Sequence, residues 1–511
     1  MTRARVPARA RIAIFLAWVC VVAAVASRHE PWRDEVHPYS VATTTASLGE
    51  MFGALHTDGH PALWYLLLRG AHALAPVPAV LPIVAFLVAA AAVLLFLARS
   101  PFGPVVTVLF PFSVLPLYEY SVMARNYGVS LLGCFAFAAL YRARRPALLA
   151  ACLVLLANTN AHSAFLTVAL AFVWAVDELQ DGAKPRALRL RLALVPVAAA
   201  AAGLAFAAWS ALPRESVVVH RGLPDVAGLW HGLLIPGGSR LLAPFSAPGI
   251  VDLAVFLLLA AGFAARPSRL LAAGGAVLGL YAFFVFVYPG DLRHVGLLLV
   301  LILTLLWMEE DRGTDSPSSG PVALALSRFA FGAVLPALLA AGVVTGAAKA
   351  RTDLREDMSA SRPAAAFIRS RPEFADAILT GEPDYALEPF PYYLPNRIYL
   401  PREGRFGLWA LPTKENRDDL TLGQVLDAAG RLRRETGRRV LLLMNPVLVD
   451  PGPQNSWTHS FGKTFTRSPG DLERLAAQAT LIGRFVDTRQ IDERYVVFEM
   501  RDPPPPSGPS W

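Results

Sequence analysis

The sequence predicts an α-helical membrane protein that crosses the bilayer many times and carries a smaller α/β domain towards its C-terminal end. Of the 511 residues, 55% are hydrophobic and only 17% are charged, whereas about a quarter of the residues are charged in ordinary soluble domains. Apolar runs recur along residues 1–349, but residues 350–502 are rich in charge and proline. We therefore predict a membrane domain (1–349), an α/β domain (350–502) and a disordered tail (503–511).

The chain opens with a basic segment that is followed by an uncharged apolar stretch, residues 12–26. This pattern is typical of a membrane anchor, and the small residues at its end also fit the cleavage site of a signal peptide. Either interpretation places the residues that follow outside the cytoplasm. The three cysteines lie inside apolar runs, which argues against a disulfide framework.

Eleven more apolar runs follow, at about 61–76, 79–98, 104–121, 124–141, 147–160, 162–177, 190–211, 250–265, 268–288, 294–308 and 328–347. Lys and Arg collect in cytoplasmic loops, and the basic clusters of this chain satisfy that rule only if one early run does not cross. The run 61–76 is short and follows His60-Pro61, so we predict a re-entrant or interfacial helix there. About eleven spans then remain, and the C-terminal α/β domain is extracytoplasmic.

The C-terminal domain alternates apolar strands with helical patterns. Residues 377–380, 439–444 and 495–499 have the composition of buried strands. Helical patterns at about 363–371, 420–436 and 470–478 lie between them. This alternation is typical of an α/β domain.

The first outer loop contains the adjacent carboxylates Asp34 and Glu35, and Asp58 and His60 follow some twenty residues later. A carboxylate near the membrane surface could act as a general base on a lipid-borne substrate. Glu35, Asp58 and His60 could also hold a divalent cation. The simpler interpretation is that Asp34 and Glu35 are solvated loop charges.

A second polar segment, residues 118–127, lies between two apolar runs at the outer face. An arginine near the hydrocarbon is costly, so Arg125 needs a partner or a task. Its guanidinium suits a lipid-linked phosphate, which it can bind with two parallel hydrogen bonds. The alternative is an ion pair between Arg125 and Glu119 that only fixes two helices.

Two further outer turns hold polar residues, namely Asn158, Asn160 and His162 in one and Asp291, Arg293 and His294 in the other. Each residue alone could be a helix cap or an interface anchor. Because the topology puts them on one side of the membrane, we expect them to converge with Asp34, Asp58 and Arg125 on an outward cavity.

These segments resemble the integral-membrane glycosyltransferases of the GT-C fold, in particular the group of protein O-mannosyltransferases and lipid A aminoarabinose transferases. The matching segments are Asp34-Glu35, the run 58–68 that begins Asp58-Gly59-His60-Pro61, and Ala124-Arg125-Asn126-Tyr127. Their order and spacing match as well, and the resemblance covers roughly residues 10–310. Ala62 stands where the family usually has a second proline.

The resemblance implies an inverting transfer of a sugar from a polyprenyl-phosphate donor to a glycan, lipid or protein acceptor, on the outer face of the plasma (inner) membrane. It implies Asp34 as general base beside Glu35, with Arg125, and Arg293 as a second candidate, steadying the departing phosphate. The other candidate substrate-binding residues are Asp58, His60, Tyr127, His162 and His294. A divalent cation is the one candidate cofactor, and the long outer loop 212–249 would help to choose the acceptor.

Two alternative functions remain open at this stage. A transporter or flippase should have polar residues near the middle of its spans, and often two related halves. Here the spans are mostly Ala, Leu and Val and the polar residues gather at one face, which favours the enzyme. A surface-polysaccharide assembly factor would use similar lipid-linked substrates. The net charge of +8 fits membrane topology and lipid headgroups better than nucleic acid.

Overall fold

The computed structural model describes residues 6–213, 249–288, 290–310 and 320–502, except for Pro412, Glu415 and residues 459–461, and a few isolated positions between 230 and 247. Almost all of the loop 212–249, and the predicted tail 503–511, therefore lie outside the described residues. The chain divides into two compact units. The helical unit comprises residues 1–27, 58–212 and 221–352, and the second unit comprises residues 28–57, 213–220 and 353–511.

Each predicted apolar run falls on one or two helices. The helices of this part of the chain are α1 (Ala8–Ala26), α2 (Arg33–Thr44), α3 (Leu48–Asp58), α4 (Leu63–Leu74), α5 (Val80–Arg99), α6 (Pro104–Phe112), α7 (Tyr127–Tyr141), α8 (Pro146–Ala157), α9 (Ser163–Leu179), α10 (Arg186–Ala211), α11 (Gly249–Ala261), α12 (Pro267–Phe286), α13 (Leu292–Glu310), α14 (Pro321–Phe329) and α15 (Leu335–Asp353). Single π-helical turns follow α6, at Leu115–Glu119, and join α14 to α15, at Ala330–Val334.

Six of the described helices are long and apolar enough to span a membrane. They are α1, α5, α10, α12, α13 and the continuous segment formed by α14 and α15. Shorter apolar helices lie between them, among them α7, α8 and α11. The chain is thus a multi-pass helical membrane protein, as predicted. The count of eleven spans and the outer position of the α/β domain stay predictions.

Helix α13 forms the centre of the helical unit. Every residue from Leu292 to Met308 is buried, and α13 packs against α7, α9, α11 and α12. Gly296 allows a close approach on one side, because a Cβ there would lie 2.3 Å from a Leu115 methyl carbon and 2.9 Å from the Tyr120 hydroxyl. The segment that precedes Arg125 is therefore held directly against the central helix.

One end of this unit is held together by ion pairs. Arg269 donates to both carboxylate oxygens of Asp177, at 2.5 and 2.6 Å, and Tyr141 donates to the same group. Arg144 and Lys184 both pair with Glu178, and Arg266 lies 2.5 Å from Glu309. We call this set the ion-pair end; its members are Tyr141, Arg144, Asp177, Glu178, Lys184, Arg266, Arg269 and Glu309. Buried charges are normally compensated in this way.

The second unit contains the predicted α/β domain. Its elements are α16 (Ser361–Arg369), β1 (Ile378–Glu382), α17 (Phe390–Tyr393), β2 (Ile398–Leu400), β3 (Arg405–Phe406), β4 (Asp419–Thr421), α18 (Leu422–Thr436), β5 (Val440–Met444), α19 (Pro446–Val449), β6 (Ser456–Thr458), β7 (Thr464–Thr466), α20 (Pro469–Gln478), β8 (Ala479–Phe485) and β9 (Tyr495–Met500). The main sheet has the order β3-β2-β1-β5-β9-β8, and β4-β7-β6 form a small second sheet.

The three predicted strands are confirmed as β1, β5 and β9, which are neighbours in the main sheet. All five residues of β1 and all five of β5 are buried, because apolar cores cover both faces of the sheet. A strand covered on both faces is largely apolar, which is why these segments were recognisable. The predicted helices correspond to α16, α18 and α20.

Strand directions bring several loops to one edge of this sheet. β1 and β5 are parallel, and β9 is antiparallel to β5, with Glu382 beside Met444 and Met444 beside Val496. The carboxyl ends of β1 and β5 therefore lie beside the amino end of β9. The turn Asp384–Leu387 leaves the sheet at this edge and the turn Ile491–Glu493 enters it there. We call it the carboxyl edge.

Residues 28–57 group with the second unit, although the predicted boundaries place them in the membrane domain. The reason is a set of polar contacts. His29 Nδ1 lies 2.8 Å from Asp353 Oδ2, and Ser361 Oγ donates to Glu30 Oε1 at 3.2 Å. The first loop is thus bonded to chain that follows it by more than 300 residues.

Candidate functional site

The candidate binding residues of the helical unit come together at one end of it. Arg125 Nη2 lies 3.2 Å from His60 Nε2. The rings of His162 and His294 are 4.4 Å apart, and those of Tyr127 and His294 are 5.4 Å apart. Arg293, Arg125 and His60 all lie close enough to His294 to act on it electrostatically. We call His60, Arg125, Tyr127, His162, Arg293 and His294 the histidine end.

Each of these side chains stands at or next to the amino end of a helix. Tyr127 begins α7, His162 directly precedes α9, and Arg293 and His294 lie in the first turn of α13. His60 precedes α4 by three residues. Helix amino ends carry partial positive charge and free N–H groups, so they favour anions. Together with two arginines, they make this end of the unit suited to a negatively charged ligand.

The histidine end also has buried polar atoms that the described residues leave unsatisfied. His162 is only 4% exposed, and within the described part of the chain neither ring nitrogen has a hydrogen-bond partner. Asn126 Oδ1 is also buried without a hydrogen-bond partner among the described residues. Buried polar groups are normally hydrogen-bonded, so a polar ligand that reached this end would satisfy them.

Other polar residues from the sequence analysis have supporting positions. Asn160 Oδ1 accepts from the backbone N–H of Ser163 at 2.9 Å, which caps α9. The backbone carbonyl of Asn158 accepts from Leu63 N at 3.3 Å, which fixes the start of α4. Asn158 and Asn160 therefore hold helix ends in place.

The alternative role for Arg125, an ion pair with Glu119, is wrong. Glu119 is buried and instead accepts from Lys349 Nζ at 2.6 Å. Lys349 was not among the predicted residues, because it follows Glu119 by 230 residues. Arg125 is thus placed at the histidine end and does not fix two helices through Glu119.

The run that begins at Asp58 makes a tight turn into this end. Asp58 is the last residue of α3 and is half-buried. Gly59 has a φ of +71°, a left-handed conformation that glycine adopts at low cost. The turn sends His60 towards Arg125. The role of Asp58 itself stays a prediction.

The two carboxylates of the first loop differ sharply in accessibility. Glu35 is fully buried; it lies 2.9 Å from His29 Nε2, and it accepts from Trp32 N at 3.3 Å. Burial lowers the pKa of His29, but the carboxylates of Glu35 and Asp353 outweigh this and raise it to about 10. His29 is therefore protonated at neutral pH, and Glu35 is fixed in a buried ion pair.

Asp34 lies one residue earlier, in the first turn of α2. Its side chain is 22% exposed, and Oδ1 is 3.1 Å from Arg33 Nη2. Of the two predicted catalytic carboxylates, Asp34 is the one that a substrate can reach. The geometry fits Glu35 to a supporting role inside the second unit.

Among the residues that the structure describes, no group of three or more His, Cys, Asp and Glu side chains has the arrangement of a metal site. Glu35 is already paired with protonated His29, which makes it a poor ligand for a cation. The divalent-cation site of Glu35, Asp58 and His60 stays a prediction.

No family model matches the chain, and no curated protein matches its sequence. Solved structures do match. ArnT from Cupriavidus metallidurans bound to undecaprenyl phosphate is 14% identical, with a TM-score of 0.50 and coverage of 96% of this chain and 98% of that chain. The apo form of ArnT has the same identity and coverage and a TM-score of 0.49.

The arabinofuranosyltransferase AftD from Mycobacteria, as its R1389S mutant, is 15% identical with a TM-score of 0.43, over 98% of this chain and 42% of that chain. At these identities, the likeness to lipid-bound ArnT establishes the fold alone. The chain has the GT-C fold, as its motifs predicted.

Proposed function

We propose that this protein transfers a sugar from a polyprenyl-phosphate-linked donor to an acceptor on the outer face of the plasma membrane, with inversion at the anomeric carbon. The histidine end carries the proposal, because it joins Arg125 and Arg293 to the amino ends of four helices. Such a site favours a phosphate. The solved structure of ArnT, which shares the fold, contains undecaprenyl phosphate.

In this reaction the acceptor hydroxyl attacks the anomeric carbon while the bond from that carbon to the phosphate oxygen breaks. Asp34 takes the hydroxyl proton as general base. The phosphate leaves with additional negative charge, which Arg125 and Arg293 stabilise by electrostatic interactions already in place before the reaction. His60, Tyr127, His162 and His294 orient the donor phosphate. Asp58 contacts the substrate from the turn that precedes His60.

Glu35 serves this reaction indirectly. Its buried pair with His29 fixes the first turn of α2, which carries Asp34. The acceptor can be a glycan, a lipid or a protein, and the sugar is left open. The loop 212–249 lies almost wholly outside the described residues. We propose that this loop selects the acceptor.

The test is sugar transfer by purified protein in bacterial lipid, with a panel of radiolabelled polyprenyl-phosphate sugars and total envelope extract as acceptor. Wild type should transfer one sugar of the panel. Asp34→Asn should fold and insert but transfer none, because an amide cannot take the proton. Transfer retained by Asp34→Asn would exclude Asp34 as base. If wild type binds the lipid carrier but transfers no sugar, a transport function would be favoured instead.

A further inference from the structure

Arg33, which the sequence analysis did not single out, connects Asp34 to the α/β domain. Its Nη2 lies 3.1 Å from Asp34 Oδ1. Its guanidinium lies over the ring of Tyr385, 4.6 Å from the ring centre. Its backbone N–H donates to Glu493 Oε1 at 2.9 Å. One residue therefore contacts the proposed base on one side and two residues of the domain on the other.

These contacts of Arg33 lie at one edge of the main sheet. Tyr385 lies in the turn that follows β1, and Glu493 lies in the turn that precedes β9. Both turns lie at the carboxyl edge. In open α/β sheets this is the edge where ligands usually bind. Here the chain's own first loop is bound there, and Arg33 is one of its contact points.

The first loop has other attachments that do not include Arg33. His29 pairs with Asp353, Glu30 accepts from Ser361, and His37 Nδ1 lies 3.0 Å from Glu388 Oε2. These contacts already fix the segment on both sides of Asp34. The side chain of Arg33 does more than anchor the loop, because it also contacts the Asp34 carboxylate.

We propose that Arg33, clamped between Tyr385 and Glu493, is a positioning residue for Asp34, and that the α/β domain thereby controls both the orientation and the proton affinity of the base. This inference rests on the proposed function, in which Asp34 is the general base. Tyr385 and Glu493 act through Arg33 and need not touch the substrate.

The physical reason is the fixed charge of Arg33. A neighbouring cation favours the ionised form of a carboxylate. A planar guanidinium stacked on an aromatic ring keeps a defined orientation. The charged and titratable groups that act on Arg33 are Asp34, Glu388, Glu493 and Tyr385. When the ring is lost, the guanidinium can turn towards Glu388 and away from Asp34.

The experiment compares Tyr385→Leu with Tyr385→Phe in the full-length protein, in the transfer assay with its radiolabelled donor. Tyr385→Leu removes the ring, whereas Tyr385→Phe keeps it and removes only the hydroxyl, which lies 3.4 Å from Asp492 Oδ2. The matched control is Tyr399→Leu. Tyr399 has similar burial but contacts Phe406 and Arg431 instead.

We expect Tyr385→Leu to lower kcat by about tenfold to a hundredfold at neutral pH, as small misplacements of a catalytic group do. The KM for the donor should change by no more than about twofold, because donor binding is not altered. The acid limb of the pH profile of kcat should move up by about one pH unit, since Asp34 loses a nearby cation. Tyr385→Phe and Tyr399→Leu should keep the wild-type profile.

A wild-type kcat and pH profile for Tyr385→Leu would overturn the inference, provided that Asp34→Asn is inactive. Should Tyr385→Leu fail to fold, Arg33→Gln replaces it, with Arg33→Lys as the variant that keeps the charge. Arg33→Gln with an unmoved pH profile also overturns the inference. Transfer by Asp34→Asn would instead overturn the proposed function itself, so the two failures are distinguishable.

Discussion

The two ends of the helical unit both hold charged side chains, but they differ in what those charges contact. At the ion-pair end, arginines and a lysine lie against carboxylates, as in the bidentate pair of Arg269 with Asp177. At the histidine end, Arg125 lies against His60, and Arg293 is 3.6 Å from the largely exposed Asp291. Helix α13 connects the two ends, and its 19 residues separate them by about 28 Å.

The difference separates structural charges from charges that can bind a ligand. A buried ion pair compensates its own desolvation and leaves little attraction for a third group. At the histidine end, the partial positive charge of four helix amino ends adds to that of Arg125 and Arg293, and this combination favours an anion. Composition alone would not distinguish the two ends, because both contain two or more arginines. The contacts of each arginine distinguish them.

The largest effect should come from breaking the ion-pair end. Arg269→Leu leaves the buried carboxylate of Asp177 without its main partner, so unfolding should become easier by about 3–5 kcal/mol. The double variant Arg269→Leu, Asp177→Leu should recover most of this loss, since no unpaired charge remains. The midpoint of thermal unfolding in detergent measures both. A single variant as stable as wild type would show that this pair is not structural.

At the histidine end, a substitution should impair sugar transfer and leave the stability of the fold unchanged. Arg125→Gln should lower sugar transfer by about 10²–10³-fold, the usual cost of one electrostatic group in the transition state. Its unfolding midpoint should stay close to that of wild type. Arg351→Gln, an exposed arginine on α15, is the control and should transfer normally. If Arg125→Gln unfolds as readily as Arg269→Leu, the distinction between the two ends fails.

A smaller effect, on donor binding, is expected from a substitution of His162 at the histidine end. His162→Phe removes buried nitrogens that have no hydrogen-bond partner within the described chain and keeps an aromatic ring beside His294. The KM for the donor should rise by about tenfold, the value of one hydrogen bond to a charged group. The unfolding midpoint should be unchanged or higher, because no protein hydrogen bond is lost. A clearly lower midpoint with normal KM would assign His162 to packing.

The smallest effect is expected in the second unit, whose stability depends on pH through two buried glutamates. Burial raises the pKa of Glu30 to about 7 and that of Glu493 to about 8. The folded state therefore holds these protons more tightly than the unfolded chain, whose glutamates titrate near 4.5. Stability should fall as the pH rises from about 4.5 to about 8.

The double variant Glu30→Gln, Glu493→Gln tests this pH dependence. Without the two titrating groups, the unfolding midpoint should fall less between pH 5 and 8 than it does in wild type. The difference between the two falls should be about a few degrees. His29, whose pKa is raised to about 10, adds a loss only above that range. Equal slopes for variant and wild type would show that these acids are ionised in the folded state.

Much of the fold was readable from the sequence for simple physical reasons. Long apolar runs and basic loops indicate membrane helices, and β1, β5 and β9 are recognisable because both faces of the sheet are covered. The members of the histidine end could also be selected, since each polar residue stands where an apolar run begins. Only local pattern and topology were needed for these predictions.

The remaining features depend on contacts between distant residues. Nothing in the sequence around Glu35 indicates that it pairs with His29, which in turn pairs with Asp353. Nothing near Glu119 indicates its pair with Lys349. Arg33 is adjacent to Asp34 and could have been noticed, but its partner Glu493 follows it by 460 residues. Single-sequence periodicity carries no information about such pairs, so the structural role of Glu35 and the attachment of the first loop were not predicted.

The first loop is attached to the carboxyl edge by residues that are synthesised much later than the loop itself. Ribosomes add about 5–20 residues per second, so the 460 residues between Arg33 and Glu493 take roughly 20–90 s to synthesise. During that interval Arg33 has been synthesised, but its partner Glu493 does not yet exist. A chain that stops before Glu493 lacks the contact that holds the backbone of Arg33. The attachment of Arg33 to the carboxyl edge is therefore complete only after the turn Ile491–Glu493 has been synthesised.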